Sequence, residues 1–526
     1  MSWDHIIVGG GSGGATLAAR LSEDPARRVL LLEAGGRDWS PYIHIPGFLG
    51  NVMFSNTLNW NYSGEPDASL GGRALVWMAG RVLGGSSSIN GMVYGRGLPG
   101  DYKRWVEAGN PGWSWDEMLP YFRRMESWSG TPDPSRGTCG PLQVRPFDET
   151  HAVCRSVMEA YVANGLPFVG DYAAGISEGI GITQATQAGG WRNSTAAAYL
   201  VPARRRPNLT IFPYARVERL EVEHGRCTGV TFTRKGVTQT VRADREVTVC
   251  AGAIGSPRLL MLSGIGAPDA LRQHGITVVH RLPGVGQHLN DHVNAKLSAS
   301  VNVPTYNSER FGARKALNGV RFLLDRAGPA ASPANHVQGF VKSEPGLAEA
   351  DYQVQIMAVG FNADFADRTN GVSVVVSPCR TETRGAVTLR SADPRDPPRI
   401  AIEMLGNPRD VALLIEGCRH AREMLEAGPG RDFAGKMFLP APGTDSNAAW
   451  LSFLRETAGI NWHPTSTCRM GSGPDDVVDA SLAVHGLSGL SIADASVMPS
   501  VTSGNTNAPT IAIAERAADF ISVRTA

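Results

Sequence analysis

A chain of 526 residues is too long for one compact core, so at least two domains are expected. The share of hydrophobic residues is 42% and that of charged residues 19%, as in a globular protein. Lys and Arg number 50 against 49 Asp and Glu, a net charge of +1. This balance argues against a nucleic-acid-binding protein, which needs an excess of cations to neutralise phosphates.

No apolar run is long enough to span a bilayer, so no transmembrane segment is expected. The first predicted strand begins within a few residues of Met1, so no signal peptide is expected. The 7 cysteines are scattered and form no C-x-x-C pair, as in proteins with reduced thiols and no zinc site. We therefore expect a cytoplasmic protein that holds no metal.

A glycine-rich turn lies close to the N-terminus. Residues 4–8 (Asp-His-Ile-Ile-Val) are typical of a buried strand, and residues 15–21 follow as an apolar helix. Between them Gly9, Gly11 and Gly14 match Gly-x-Gly-x-x-Gly. The first glycine permits the turn, the second lets a pyrophosphate approach the backbone, and the third lets the helix lie close to the strand. The pattern predicts dinucleotide binding.

Glu33 ends a second predicted strand, residues 29–32, at the spacing typical of an acid that binds the adenosine ribose. A carboxylate there accepts hydroxyl groups and repels a 2′-phosphate. The motif alone does not distinguish one dinucleotide from another, so NAD is one of the possible ligands. The same glycine run also matches Gly-x-Ser-x-Gly around Ser12, the nucleophile turn of some hydrolases, but Glu33 favours the dinucleotide interpretation.

In the next part of the chain, an irregular stretch is followed by segments in which apolar and polar residues alternate. Residues 36–80 have little periodicity, which is typical of a lid or cofactor cover. Residues 80–94 are dense in Gly and Ser and predict a second close approach of backbone to a ligand. Residues 209–212, 217–222, 228–234 and 238–241 alternate with period two, so we predict an antiparallel meander, followed by a separate buried strand at 247–250.

The pattern of the second half of the chain predicts a substrate domain, followed by a C-terminal segment that belongs to the first domain. Residues 296–455 carry strand-like runs and helices around 314–326 and 409–426, but no glycine fingerprint. The last seventy residues again show a strand, a turn and a helix that would close onto the N-terminal domain. We divide the chain into a dinucleotide-binding domain of residues 1–155, 196–295 and 456–526 and a substrate domain of residues 156–195 and 296–455.

Five separated blocks resemble the glucose–methanol–choline oxidoreductases, and in particular the bacterial alcohol, sorbose and choline dehydrogenase branch. The blocks are the N-terminal glycine motif with Glu33, and residues 80–94, 252–266, 282–292 and 463–509. The resemblance implies an α/β protein (α+β overall): a Rossmann-like FAD-binding domain, plus a substrate domain with an antiparallel sheet flanked by helices. Its weakest part is residues 296–455.

The resemblance also implies bound FAD. It assigns to cofactor binding, besides the turn and ribose residues, positions in the second glycine segment, on the meander and near the C-terminus. The expected cofactor-binding residues are Gly9, Gly11, Ser12, Gly13, Gly14, Glu33, Val82, Gly85, Asn90, Gly91, Met92, Val93, Val217, Asp494 and Asn505. Some relatives attach the flavin to a histidine within the second glycine segment. Residues 80–94 contain no histidine here, so we expect non-covalent FAD.

Alcohol oxidation removes a proton from oxygen and a hydride from carbon, and histidine is the side chain best suited to be the base. By resemblance, His463 is the expected general base. Asn507 occupies the family's second catalytic position, where a carboxamide can hold the substrate oxygen but cannot take its proton. Trp462, His463 and Asn507 are expected to contact substrate. His288 and His292 have metal-ligand spacing, but no third ligand is in view.

The sequence thus predicts FAD-dependent oxidation of a primary or secondary alcohol to an aldehyde or ketone. The electrons would pass to a quinone or another acceptor in a dehydrogenase, or to O2 in an oxidase. A flavin-containing hydroxynitrile lyase and a non-catalytic flavoprotein remain alternatives. Neither the identity of the alcohol nor the oligomeric state follows from the sequence.

Overall fold

A computed structural model of the chain describes residues 2–361, 368–427 and 433–525. The described residues contain two seven-stranded sheets, each with its own apolar core. None of their helices is both long and apolar enough to cross a membrane. The fold is α/β with a second, sheet-rich part, as expected.

The first sheet is built around the N-terminal strand, Ser2–Val8. This strand pairs in parallel with Val29–Leu32 on one side and with Val237–Val249 on the other. All four residues of Val29–Leu32 are buried, so this part of the sheet is covered on both faces. The strand order across the sheet is Leu209–Phe212, Val29–Leu32, Ser2–Val8, Val237–Val249, Arg226–Arg234 and Ala215–Glu223, with Leu490–Ile492 also paired to Val237–Val249.

Two details of the predicted meander are wrong. Leu209–Phe212 runs parallel to Val29–Leu32 at the sheet edge, instead of joining the antiparallel strands. The stretch predicted as two strands is a single one, Val237–Val249, whose first half pairs antiparallel with Arg226–Arg234 and whose second half pairs in parallel with Ser2–Val8. Period-two alternation reports which face a side chain takes, but carries no information about a strand's direction or partner.

Helices cover the first sheet and bring the chain's two ends together. Ser12–Leu21 packs against the C-terminal helix Asn507–Arg524, as the predicted return of the C-terminus requires. The buried Glu515 carboxylate links the helices by accepting from Nε of Arg20 at 2.8 Å. Further helices of the chain are Pro41–His44, Leu49–Met53, Pro99–Glu107, Trp115–Met125, Gly252–Leu262 and Pro268–Gln273.

The second sheet is antiparallel, and one of its faces packs on helices. Its strand order is Ala434–Leu439, Val293–Val301, Gly371–Pro378, Tyr352–Met357, Val337–Val341 and Gly179–Ile182, with Gly459–Ile460 also paired to Val293–Val301. The apolar face contacts the helices Ala152–Ala163 and Pro408–Glu426. Gly312–Asp325 and Asn447–Thr457 are further helices of this half.

The division into domains stays a proposal. The first sheet takes its strands from residues 2–32, 209–249 and 490–492, and the second from residues 179–182, 293–378 and 434–460. This interleaving is compatible with the proposed boundaries at 155, 195, 295 and 455. The strand Val293–Val301 begins just before one of these boundaries.

Candidate active site

The N-terminal turn leaves no room for a side chain at Gly9, Gly13 or Gly14. Gly9 has φ +100°, and a Cβ there would lie 2.4 Å from the carbonyl oxygen of Cys250. A Cβ on Gly14 would lie 1.8 Å from the Gly9 carbonyl oxygen, and one on Gly13 would lie 2.2 Å from that of Ala493. The helix Ser12–Leu21 thus presents its first N–H groups at a bare backbone surface, the arrangement that suits a pyrophosphate.

Glu33 is buried beside this turn. Its carboxylate accepts one backbone N–H on each oxygen, from Gly10 and from Gly35, both at 2.7 Å. Burial raises the pKa of Glu33 to about 7, although both hydrogen bonds act in the opposite direction. Each oxygen keeps a further lone pair, so the residue can still accept ribose hydroxyls. The backbone of Glu33 also bonds Ala215, which begins the strand that carries Val217.

The second glycine segment lies directly on the first. Gly84 donates its N–H to the Gly10 carbonyl at 2.8 Å. Gly85 has φ +53°, and a Cβ there would lie 2.6 Å from Gly11 Cα. The two loops predicted to hold the cofactor therefore meet at glycines. This close approach of bare backbone fits a dinucleotide, because a Cβ on Gly85 would force the two loops apart.

The segment continues through Asn90, Gly91, Met92 and Val93, and hydrogen bonds to the Asn90 and Arg192 side chains hold its backbone. The Asn90 side-chain oxygen accepts from the Met92 N–H at 3.0 Å and from the Arg192 guanidinium at 2.8 Å. Arg192 is buried, and burial lowers its pKa to about 9. Met92 is in the left-handed region at φ +62°. Asn90 thus acts on the loop's conformation, while Val82 and Val93 lie buried along it.

Asp494, from the C-terminal part of the chain, is held at the start of the helix Gly252–Leu262. One carboxylate oxygen accepts from the Gly252 N–H at 2.8 Å and from the Ser256 hydroxyl at 2.6 Å, and the other from the Ser496 N–H at 2.8 Å. Burial raises its pKa. Its described contacts tie the turn after Leu490–Ile492 to the helix Gly252–Leu262.

His463 lies buried where the C-terminal block meets the second sheet. Its backbone N–H donates to the Asp291 carboxylate at 3.0 Å, and the same oxygen accepts the N–H of His292 at 2.7 Å. The preceding residue, Trp462, adopts φ +57°, and its indole N–H donates to the Val76 carbonyl at 2.9 Å. Trp462 is 37% exposed, so it borders the site at its solvent side.

A chain of hydrogen bonds fixes the protonation of His463. Nε2 of His292 lies 3.0 Å from the Cys379 carbonyl, which can only accept, so this nitrogen carries the proton. Burial lowers the pKa of His292 to about 4, so its ring is neutral and Nδ1 is an acceptor. Nδ1 of His463 lies 3.0 Å from it and must donate. Nε2 of His463 is therefore the unprotonated nitrogen.

Asn505, and not Asn507, lies beside that nitrogen. Nδ2 of Asn505 is 3.2 Å from Nε2 of His463. The side-chain oxygen of Asn507 instead accepts from the Ser12 hydroxyl at 2.8 Å. Asn505 therefore lies beside His463, where Asn507 was expected, and Asn507 lies beside the N-terminal turn. The reason is that Asn507 is the first residue of the C-terminal helix, whereas Asn505 lies in the loop before it.

His292 is the site residue that sequence reasoning missed. Its spacing from His288 suggested only a metal motif, and no local pattern revealed a contact with His463. Asp291, His292 and His463 do bring three potential ligand atoms within 4.8 Å of one another. However, the two Nδ1 atoms that a metal would need are hydrogen bonded to each other, so the geometry is explained without an ion.

The comparisons with known proteins agree with this architecture. Family models for GMC oxidoreductases match residues 3–294 and 381–514. An oxygen-dependent choline dehydrogenase of Rhizobium johnstonii is 39% identical over 99% of this chain and 96% of its own length. One from Brucella anthropi is 38% identical over 100% and 96%.

Solved structures give the same result. Pyridoxine 4-oxidase from Mesorbium loti is 31% identical with a TM-score of 0.90, over 98% of this chain and 99% of that one. A formate oxidase is 27% identical with a TM-score of 0.93, over 99% and 98%. FAD-dependent oxidation of a CH–OH group fits the family and these neighbours. The chain belongs to the GMC oxidoreductase family.

Proposed function

We propose that this protein oxidises a primary or secondary alcohol to the aldehyde or ketone, with His463 as general base and Asn505 as the group that holds the substrate oxygen. The observation that carries the proposal is the position of the buried His463, whose Nδ1 lies 3.0 Å from Nδ1 of His292 and whose Nε2 lies 3.2 Å from the Asn505 amide nitrogen. From these contacts we infer that Nε2 is unprotonated. Bound FAD would supply the acceptor for the hydride. The glycine loops around Gly11 and Gly85 and the carboxylate of Glu33 would hold its ADP half.

The two residues have separate tasks. When an alcohol binds, its hydroxyl donates to Nε2 of His463, and Nδ2 of Asn505 donates to the alcohol oxygen in place of its direct contact with His463. The base then takes the hydroxyl proton, and the imidazolium and the amide stabilise the developing alkoxide. Burial holds the pKa of His463 well below its ordinary value of 6.5. The base is therefore unprotonated, and ready to act, at neutral pH.

Anaerobic mixing with alcohols tests the proposal. The flavin absorbance of the purified holoenzyme should bleach with at least one member of a panel of aryl, aliphatic, polyol and choline-like alcohols. Bleaching rejects the hydroxynitrile lyase, which makes no net redox change, and the non-catalytic flavoprotein. A flavin that no alcohol reduces would contradict the proposal.

The electron acceptor is proposed to be a quinone or similar compound, which makes the enzyme a dehydrogenase. Oxygen is the second candidate, because the neighbours named pyridoxine 4-oxidase and formate oxidase are oxidases. Rapid mixing of the reduced enzyme with oxygen or with a soluble quinone separates the two. A cytoplasmic location also stays a prediction.

We predict that FAD is bound without a covalent link. The described loop from Gly80 to Tyr94 carries no histidine, and no cysteine lies in it either. Acid precipitation of the holoenzyme should therefore release all of the yellow chromophore into the supernatant. Colour that stays with the washed protein pellet would contradict this prediction.

The two asparagines should respond differently to replacement. Asn505→Ala is expected to lower kcat/KM by about 10²-fold, as for loss of one donor to a developing oxyanion, with FAD content unchanged. Asn507→Ala removes the contact with Ser12 and should act on FAD retention and thermal stability rather than on the chemical step. Rates of flavin reduction and FAD per chain measure both. An Asn507→Ala variant with full FAD and the larger loss of rate would reverse the assignment.

A further inference from the structure

A buried carboxylate holds the loop that carries Asn505. Asp101 is the third residue of the helix Pro99–Glu107, and it is 1% exposed. One of its oxygens accepts the backbone N–H of Ser503 at 2.7 Å, and the other accepts the hydroxyl of Ser503 at 2.9 Å. Ser503, which is two residues before Asn505, is therefore bound at two points by a side chain that is distant in the sequence.

The carboxylate of Asp101 has no capacity left for a substrate. The oxygen that accepts the Ser503 N–H also accepts the N–H of Leu98 at 2.8 Å, and the other oxygen also accepts from the guanidinium of Arg104 at 2.5 Å. Each oxygen of a carboxylate accepts about two hydrogen bonds, so both oxygens are fully used. A negative charge on Asp101 would also oppose the alkoxide that develops beside His463. Asp101 can therefore contribute to the reaction only through the residues that it holds.

The hydroxyl of Ser503 is held from a second side as well. It accepts from Nη1 of Arg380 at 3.4 Å while it donates to Asp101. Arg380 lies 3.8 Å from the carboxylate of Glu349, which accepts the Gly100 N–H at 2.6 Å. The first turn of the Asp101 helix and the Ser503 loop are therefore joined by two routes.

Gly504 is the flexible point between Ser503 and Asn505. Its φ is +80°, in the left-handed region that glycine adopts freely. A Cβ built on Gly504 would lie 3.0 Å from Nε2 of Gln353 and 3.3 Å from Cζ of Phe340, so the loop lies against the second sheet at this point. Because glycine restrains its own backbone weakly, the position of Asn505 depends on fixed residues on either side.

The C-terminal helix supplies the anchor on the other side. This helix begins at Asn507, whose side chain accepts from the Ser12 hydroxyl at 2.8 Å. Between the two anchors, Nδ2 of Asn505 lies 3.2 Å from Nε2 of His463. The amide that faces the general base is thus fixed by the helix start and by Ser503, and Asp101 holds the second of these anchors.

We propose that Asp101 is a positioning residue for alcohol oxidation, because its two bonds to Ser503 set the distance between the Asn505 amide and Nε2 of His463. This inference rests on the proposed function, in which that amide donates to the substrate oxygen. A donor to a developing oxyanion must lie about 2.7–3.1 Å from it. Misplacement by about 1 Å can cost about 10²-fold in rate.

A double-mutant cycle on flavin reduction tests the proposal. Asp101→Ala removes both bonds to Ser503, and we expect the second-order rate constant of anaerobic flavin reduction to fall about tenfold. The substrate is the fastest of benzyl alcohol, 1-hexanol, sorbitol and choline. In an Asn505→Ala background the same change should cost less than about twofold, because no amide is left to misplace. FAD per chain should be equal in all four proteins.

The cycle separates the failure of this inference from the failure of the proposed function. The same loss from Asp101→Ala in both backgrounds would show that Asp101 acts independently of Asn505 and would overturn the inference. A parental rate in Asp101→Ala would do the same. A parental rate in Asn505→Ala would instead remove the role proposed for that amide. A flavin that none of the four alcohols reduces would remove alcohol oxidation itself.

Two milder variants serve if Asp101→Ala does not fold. Ser503→Ala removes the hydroxyl bond and keeps the N–H bond, so we expect a loss of about threefold that vanishes in the Asn505→Ala background. Asp101→Asn keeps one oxygen for the N–H groups of Leu98 and Ser503, and the Ser503 hydroxyl can turn to accept from the new amide. Asp101→Asn should therefore recover most of the rate. A Ser503→Ala loss that persists without the Asn505 amide would contradict the proposal.

Glu117→Gln is the matched control. Glu117 is the third residue of the next helix, Trp115–Met125, and its carboxylate also accepts the N–H and the hydroxyl of one serine, Ser114, at 2.9 and 2.6 Å. Ser114 caps that helix and does not belong to the Asn505 loop. Glu117→Gln should lower the melting temperature through the weakened cap and leave the rate of flavin reduction at the parental level. A rate loss in Glu117→Gln equal to that in Asp101→Ala would show that helix stability alone changes the rate, and would overturn the inference.

Discussion

Replacing His463 with glutamine is expected to lower the rate of alcohol-driven flavin reduction by about 10²- to 10⁴-fold, the range that a positioned general base contributes. Glutamine keeps roughly the length of the side chain and can bond Asn505, but it cannot accept a proton at neutral pH. Stopped-flow absorbance of the flavin under anaerobic conditions measures the step directly. FAD per chain should stay at the parental level, because His463 contacts His292, Asp291 and Asn505 and none of the glycine loops.

The control for this variant is His274→Gln, at the end of the helix Pro268–Gln273 and outside the site. The flavin of the His274→Gln variant should be reduced by alcohol at the parental rate. His292→Leu provides a graded test of the tautomer, because leucine cannot accept the Nδ1 proton of His463. We expect a smaller loss than in His463→Gln, and His292→Gln, whose side-chain oxygen can accept that proton, should recover most of it. Parental rates in His463→Gln would rule out His463 as the base.

Replacing Gly85 with alanine is expected to abolish most FAD binding. The added Cβ would lie 2.6 Å from Gly11 Cα, so the two glycine loops would have to separate where the pyrophosphate is proposed to lie. Gly85 also has φ +53°, a conformation that costs a residue with a Cβ about 1–2 kcal/mol. FAD per chain after gel filtration and the melting temperature of the purified protein report the two effects separately.

Gly71→Ala distinguishes contact from backbone strain. Gly71 has φ +68°, similar to Gly85, but a Cβ there meets no atom within 4 Å. This variant should lose about as much stability from strain and keep its FAD. If Gly85→Ala retained FAD as well as Gly71→Ala does, the proposal that FAD binds where the Gly11 and Gly85 loops meet would be wrong.

The prediction for the N-terminal half of the site rests on local spacing. The glycines at 9, 11 and 14 and the acid at 33 lie within one strand–helix–strand unit, so their geometry is set by neighbours in the sequence. The buried Glu33 and the crowded glycine positions follow from that unit. The family resemblance extended the prediction to the region of His463, although the roles of individual residues stay proposals.

The remaining features depend on contacts that spacing does not encode. Asn505 and Asn507 differ by two residues, and which one contacts His463 depends on where the C-terminal helix begins. His292 reaches His463 across 171 residues, through a pairing of loops that no local pattern records. The direction of Leu209–Phe212 and the continuity of Val237–Val249 were mistaken for the same reason, since strand partners are chosen by the whole sheet.

The central claim is that a neutral His463, held in one tautomer by His292, takes the alcohol proton. Its most direct test is the pH dependence of anaerobic flavin reduction at low alcohol concentration, in the parent and in His463→Gln. The account predicts a parental rate that stays level from neutral pH down past 6.5, the ordinary histidine value, because burial lowers the pKa of His463. At lower pH, where His463 becomes protonated, the parental rate should fall, and the residual rate of the variant should not. An acid limb in the parent above pH 6.5, or the same limb in His463→Gln, would contradict the account.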